Sequence, residues 1–249
     1  MAFQLRRRPP GRGTAVVLAV SHPALLDLDA ALGDAKPRPV IEHVSVPGSL
    51  ELAPVFDEVV ARTAAVTEPA DEPAPVVVLW TPQDRLVEVT YVHQLELGTA
   101  PTFDQHFERA LARDLSYAPL IQGLAGLDGV GTVTSLSWSV AERNLAACVA
   151  AILEPLGSRM RARTLARMAR PAAPAGFLSV RGAQVLHALQ PFIDTADERA
   201  LVNAFVREQF PAVDMERTTY LDETTRTELL QRYFSDAAAL ASSATGVVQ

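Results

Sequence analysis

Two short stretches of this sequence hold side chains suited to chemistry. In the first, the apolar run "TAVVLAV" (14–20) breaks at Ser21 and His22, and Pro23 follows. A strand that turns into a helix at the carboxyl edge of a parallel sheet is where open α/β folds bind ligands. His22 in such a turn, with a pKa near neutrality, is a candidate general base toward a hydroxyl group. The same residues also read without chemistry: Ser21 caps the following helix and His22 lies exposed in the turn. In the second stretch, "SRMRARTLARMAR" (158–170), Arg159, Arg161, Arg163, Arg167 and Arg170 gather positive charge in an acidic protein. Such a run suits an anionic ligand, a nucleotide or a membrane surface. Its bland counterpart is a lid helix that turns Met160, Leu165 and Met168 inward and leaves its arginines solvated.

The remaining titratable groups point to structural roles. His93 falls on an apolar helix face, where a hydrogen-bonded core histidine is expected, and His43 lies within a strand. His106 is expected on an exposed helix face and His187 on a helix of the C-terminal half. Their spacing suits no metal site, and no Asp/Glu cluster completes one. Cys148 sits in the apolar run "NLAACVAAIL", which predicts a small buried hydrophobe rather than a nucleophile. There is no nucleophile elbow, dinucleotide fingerprint or Walker-type loop. The glycines of "GLAGLDGVG" (123–131) lead out of a helix into a strand, and a turn with positive φ is expected there.

The elements that must position these groups follow from the hydrophobic pattern. Four runs read as buried strands: "TAVVLAV" (14–20), "VIEHVSV" (40–46), "VVVLW" (76–80) and "GTVTSLSW" (131–138). Helical patterns alternate with them, which predicts a parallel sheet covered on both faces. After Trp138 the chain reads as helices over 139–156, 158–169, 181–189, 197–210 and 223–243, a C-terminal helical layer or lid. Pro-rich connections lie at 68–76 and 170–176. Thr81 is expected to cap a helix that has Pro82 at its first position and Asp84 at its third. Leu86, Val89, Thr90, His93 and Leu97 then share one inward face. Thr102 with Gln105, and Ser139 with Glu142, repeat the capping box. The expected organisation is a basic leader (1–13) ahead of one α/β domain (14–249), whose helical part spans about 139–243.

Composition excludes several classes of partner. With 249 residues and 49% apolar content the chain can bury a sizeable core. A net charge of −7 opposes general binding of nucleic acid, which needs a broad positive field. Arg6, Arg7 and Arg8 before an apolar run imitate a signal peptide, but His22, Pro23, Asp27 and Asp29 interrupt it. No apolar run approaches the roughly 20 residues that a membrane span requires. A single cysteine rules out an internal disulfide and fits a cytoplasmic protein.

Against this background the order of segments resembles a known family. A strand, then "TPQDRLVEVTYVHQLELG" (81–98), "TFDQHFERAL" (102–111) and "DLSYAPLIQGLAGLDGVGTVTSLSW" (114–138), is similar to the second half of bacterial PAPS-dependent sulfotransferases. In that family a strand ends in Arg-Pro-Gln-Asp, a helix and a short Phe-Asp segment follow, and an aspartate-tyrosine pair opens a helix before a Gly-rich turn. Asp114 and Tyr117 stand near that pair, separated by Leu115 and Ser116. "AGFLSVRGAQVLHAL" (175–189) resembles the family's serine-led helix, and "YLDETTRTELLQRYFSDAAALA" (220–241) its terminal helix.

The resemblance implies a P-loop-NTPase-like parallel sheet of four to five strands flanked by helices, with a C-terminal helical layer. It implies a first turn that cradles the 5′-phosphosulfate of PAPS, and a later turn that holds the 3′-phosphate through an arginine and a serine. On that template His22 replaces the phosphate-binding lysine, and Pro23, Ala24, Leu25 and Leu26 replace Thr-Gly-Thr-Thr. Thr81 takes the arginine's place, Val89 takes the serine's, and Thr90 is its neighbour. The positional candidates for a cofactor are therefore Ser21, His22, Thr81 and Thr90, with Arg161 and Arg163 recruited from the lid.

Each lost charge-assisted hydrogen bond is worth about 1.5–3 kcal/mol, so the template predicts a degraded PAPS site. Two readings result. One is a non-catalytic or altered binding and scaffold role with a protein partner. The other is an active sulfotransferase that moves a sulfuryl group from PAPS to a hydroxyl of a carbohydrate or other small-molecule acceptor, with His22 as base.

Overall fold

The computed structural model of the chain describes residues 16–20, 32, 35, 39–67, 72–99, 101–138, 144–157, 160, 178–210, 220–234 and 236. Four strands, β1 (Val16–Val20), β2 (Val40–Val44), β3 (Ala74–Trp80) and β4 (Val130–Ser137), form one parallel sheet in the order β2-β1-β3-β4. Val16 is in register with Val40 on one side and Val76 on the other, and Val76 with Val133. Pro75 lies in β3 although it cannot donate to a ladder; the register shifts beside it, between Ala74 and Pro75.

Residues of period two send the strands' side chains to opposite faces, and both faces are buried. Val16, Leu18 and Val20 of β1, with Val76, Val78 and Trp80 of β3, join one core; Val17, Val77 and Leu79 join another. The first core is completed by α1 (Ala53–Thr67), α3 (Phe103–Leu111) and α4 (Ala118–Ala125). The second is completed by α5 (Leu145–Leu153), where Cys148 is fully buried and burial pushes its thiol up to about 12. This is the expected α/β architecture, with helices on both faces of a parallel sheet.

The helix after β3 is α2 (Gln83–Leu97), and it is packed on two sides. Leu86 and Val87 face the first core, while Tyr91, Val92 and Leu95 face a third cluster. That cluster belongs to the C-terminal helices: α6 (Val180–Leu189) contributes Ala183 and Leu186, and α7 (Ala196–Gln209) contributes Val206. Helix α8 (Glu223–Arg232) lays Leu229 back on the first core, and Tyr233 at its C-cap joins it there.

Several local expectations change. Pro82, not Thr81, stands at the N-cap of α2, and no side chain caps it. The helix expected from Ser139 starts at Leu145, because Asn144 has extended backbone and its side chain accepts from the Ala147 N–H. Residues 139–143, including the Ser139–Glu142 pair, lie outside the described residues. The Thr102–Gln105 capping box forms as expected. Among the described glycines, positive φ occurs at Gly98, which ends α2, and at Gly157, so no turn of that kind lies in 123–131. Gly123 is there for closeness instead: a Cβ would lie 2.8 Å from Val60 Cγ2 where α4 crosses α1.

Among the described residues, no helix is long and apolar enough to cross a membrane.

Candidate functional site

In this strand order the chain leaves β1 toward one side of the sheet for β2 and returns to the other side for β3. The carboxyl ends of β1 and β3 therefore flank the point where the winding reverses, which is where ligands bind in such sheets. Ser21 and His22 follow β1 directly but lie outside the described residues, as do Arg161, Arg163 and the other arginines of the 158–170 run. Met160, within that run, is half-buried against the α5 core. The described part of the site is the β3 side.

There the polar groups are spent on the chain itself. Thr81 is buried, and its hydroxyl donates to the Val20 carbonyl at 2.8 Å, joining the ends of β1 and β3. Its carbonyl accepts from the Tyr117 hydroxyl at 2.8 Å. Tyr117 is fully buried beneath Trp80 and Phe56, and burial raises its hydroxyl pKa, with Asp236 adding to the effect. The Trp138 backbone N–H then bonds the Trp80 carbonyl at 2.8 Å.

Beside this edge, four donors converge on the Asp236 carboxylate. The backbone N–H groups of Tyr117 and Ala118, at the start of α4, lie at 2.7 and 3.1 Å. The Ser116 hydroxyl lies at 2.8 Å and the Gln83 amide at 3.2 Å. A carboxylate satisfies the orphan N–H groups of a helix start and opposes the positive end of its dipole. Asp236 is thus a capping group delivered from the far end of the chain.

One turn into α2, buried charges face one another. Glu88 bonds Arg85 Nη1 at 2.7 Å and Arg226 Nη2 at 3.2 Å, and Arg226 Nη1 lies 3.3 Å from Asp84. Burial raises the Glu88 carboxyl above its usual range, against the downward pull of Arg85 and Arg226. Arg85 Nη2 has no hydrogen-bond partner among the described residues. Around the first turns of α2, two carboxylates thus stand against two guanidinium groups.

Thr90 is equally committed. Its hydroxyl donates to the Leu86 carbonyl at 2.7 Å and stands 3.2 Å from His106 Nε2. His106 is fully buried, contrary to the exposed position expected of it. Its Nε2 lies 3.1 Å from the Val87 carbonyl, a pure acceptor, so the neutral ring carries its proton there. Burial lowers its pKa to about 4. His93 is the converse correction: it is exposed, as is Leu97, so the inward face of α2 is not the one drawn through them. His187 is exposed in the last turn of α6, and His43 lies in β2 opposite Ala19.

Thr81 and Thr90, the positional candidates for the 3′-phosphate of PAPS, do not fit that group. Neither hydroxyl is available, because each already donates to a main-chain carbonyl. Sequence reasoning missed Glu88, Arg226, Asp236 and His106. For His106 a signal existed: Phe103, His106 and Ala110 share one face of α3 by helical spacing. For Glu88 there was a local one in Arg85 three residues before it, but for Arg226 and Asp236 there was none, because they reach their partners across more than a hundred residues. Among the described residues no cluster of three or more His, Cys, Asp or Glu side chains is arranged to hold a metal ion. No protein-family model, no curated protein and no solved structure matches the chain.

Proposed function

We propose that this chain is a sulfotransferase-like α/β domain whose cofactor site has degenerated and which serves as a binding or scaffold module. The observation that carries this reading is the state of the turn after β3. Thr81 and Thr90 are closed by internal hydrogen bonds, and the first turn of α2 is covered by the chain's own C-terminal segment through Arg226 and Asp236. A nucleotide phosphate there would have to displace two ion pairs and meet Asp84 and Glu88. The P-loop-like character of the turn after β1, and the family itself, belong to the same proposal and rest on the order of segments. A cytoplasmic location is supported by the single, buried cysteine, and the absence of a nucleic-acid partner by the acidic net charge.

A second reading has one observation in its favour. Arg85 is largely buried in the first turn of α2 and leaves Nη2 without a partner among the described residues. In an active sulfotransferase this arginine would replace the one missing at Thr81, with His22 as the base on the acceptor hydroxyl.

Calorimetric titration of adenosine 3′,5′-bisphosphate at moderate salt separates the two. The wild-type protein would be titrated beside Arg85→Ala, His22→Ala and Arg161→Ala/Arg163→Ala variants. The binding-module reading expects no heat at high protein concentration. Micromolar binding that is lost in the arginine variants would replace it with the transferase.

A further inference from the structure

Helix α7 carries five charged residues, Asp197, Glu198, Arg199, Arg207 and Glu208, and their distribution is one-sided. Both cations turn toward α2: Arg199 Nη1 donates to the Leu97 carbonyl at 3.0 Å, and Arg207 pairs with Glu96 at 2.7 Å. Asn203 adds a bond to the Glu96 carbonyl at 3.0 Å, and Val206 is buried in the third cluster. The inner face of the helix is packed against α2 and the third cluster.

The opposite face has an apolar centre and an acidic rim. Leu201 and Phe205, one turn apart, are 72% and 55% exposed, and Phe192, just before the helix, is 78% exposed. Asp197 lies one turn before Leu201, and Glu208 lies just under one turn after Phe205. Glu198 borders the same face; it is exposed, and its bonds to the Thr195 and Asp194 N–H groups hold its carboxyl below the usual range, so it is charged at neutral pH. An exposed Leu or Phe taken singly is ordinary, but an aligned pair ringed by charges of one sign selects what can cover it.

Charge decides among the occupants. A second copy of the chain docked face to face would bring one acidic rim against the other, since a two-fold contact pairs the same patch with itself. An anionic lipid surface meets the same repulsion. We infer that the outward face of α7 docks a basic amphipathic helix of a partner protein, with Leu201 and Phe205 as the apolar anchors and Asp197, Glu198 and Glu208 pairing with its Arg or Lys residues. The inference rests on the binding-module reading and names its surface and partner class.

The probe is a fluorescein-labelled synthetic helical peptide of Leu, Ala and Arg, apolar on one side and Arg-bearing on the other, with the Glu-for-Arg peptide as control. Fluorescence anisotropy against the full chain is expected to show binding of the Arg peptide that weakens as salt rises, and none of the Glu peptide. Leu201→Ser/Phe205→Ser should weaken it at least about tenfold. Asp197→Lys/Glu208→Lys should weaken it and flatten the salt dependence, while circular dichroism of both variants stays that of the parent. No binding of the Arg peptide, equal binding of both peptides, or binding unchanged in both variants overturns the proposal. So does sedimentation showing a dimer that Leu201→Ser/Phe205→Ser dissolves, because the occupant is then a second copy. Binding of adenosine bisphosphate, measured separately, would remove the binding-module reading and leave the peptide result standing.

Discussion

Helices α2 and α7 lie side by side and break the usual rule of burial in opposite ways. Helix α2 buries Gln83, Asp84, Glu88, Thr90 and Gln94, residues that a surface helix would show to water. Helix α7 shows Leu201 and Phe205, residues that it would be expected to hide. The difference lies in where the partners are. For α2 the chain supplies them: Arg226 for the carboxylates, Asp236 for Gln83, the Gly48 carbonyl for Gln94 and His106 beside Thr90. For the outer face of α7 no described residue does. Buried polarity with internal partners is architecture, whereas exposed apolarity with a one-signed rim is recognition.

The comparison breaks first at Arg226. Arg226→Ala leaves Asp84 and Glu88 buried with Arg85 alone, and should cost about 3–5 kcal/mol of stability by urea unfolding. A loss below about 1 kcal/mol would mean that the polar side of α2 does not depend on the C-terminal segment.

Next comes pH. His106 is held at about 4 in the fold, below its ordinary value of 6.5, so the unfolded chain binds the proton first as pH falls. This contribution is constant above about pH 7 and costs stability from about 6.5 down to 4, amounting to about 3 kcal/mol at the lower end. In a His106→Leu variant that segment of the stability-against-pH curve should flatten. An unchanged slope would assign the acid sensitivity to other groups.

The smallest effect should be on the other helix. Phe205→Ser, at a site 55% exposed, should change stability by less than about 0.5 kcal/mol. A larger loss would show that the outer face of α7 is covered within the chain.

The sheet was legible because its signal is local. Runs of β-branched residues between helical stretches located all four strands to within two residues, and β3 gained only Ala74 and Pro75. The capping box at Thr102 was legible for the same reason, since all its atoms lie within one turn. Thr81 was misread as a cap because its hydroxyl had a competitor invisible to local rules, the Val20 carbonyl in a neighbouring strand. His93 was misplaced because α2, packed on two sides, has no single inward face, and periodicity assumes one, whereas His106 follows the spacing of Phe103 and Ala110 on α3.

By itself, then, the sequence determined the elements and the parallel α/β class, since backbone propensity and hydrophobic period act over a few residues. It also determined the net charge of −7. Only the tertiary structure decided which polar groups remain available. Thr81, Thr90, Asp84 and Glu88 are chemically ordinary side chains until Val20, His106 and Arg226 are brought to them. Such pairings form across the chain because burying a charge or a hydroxyl without a partner is too costly to tolerate.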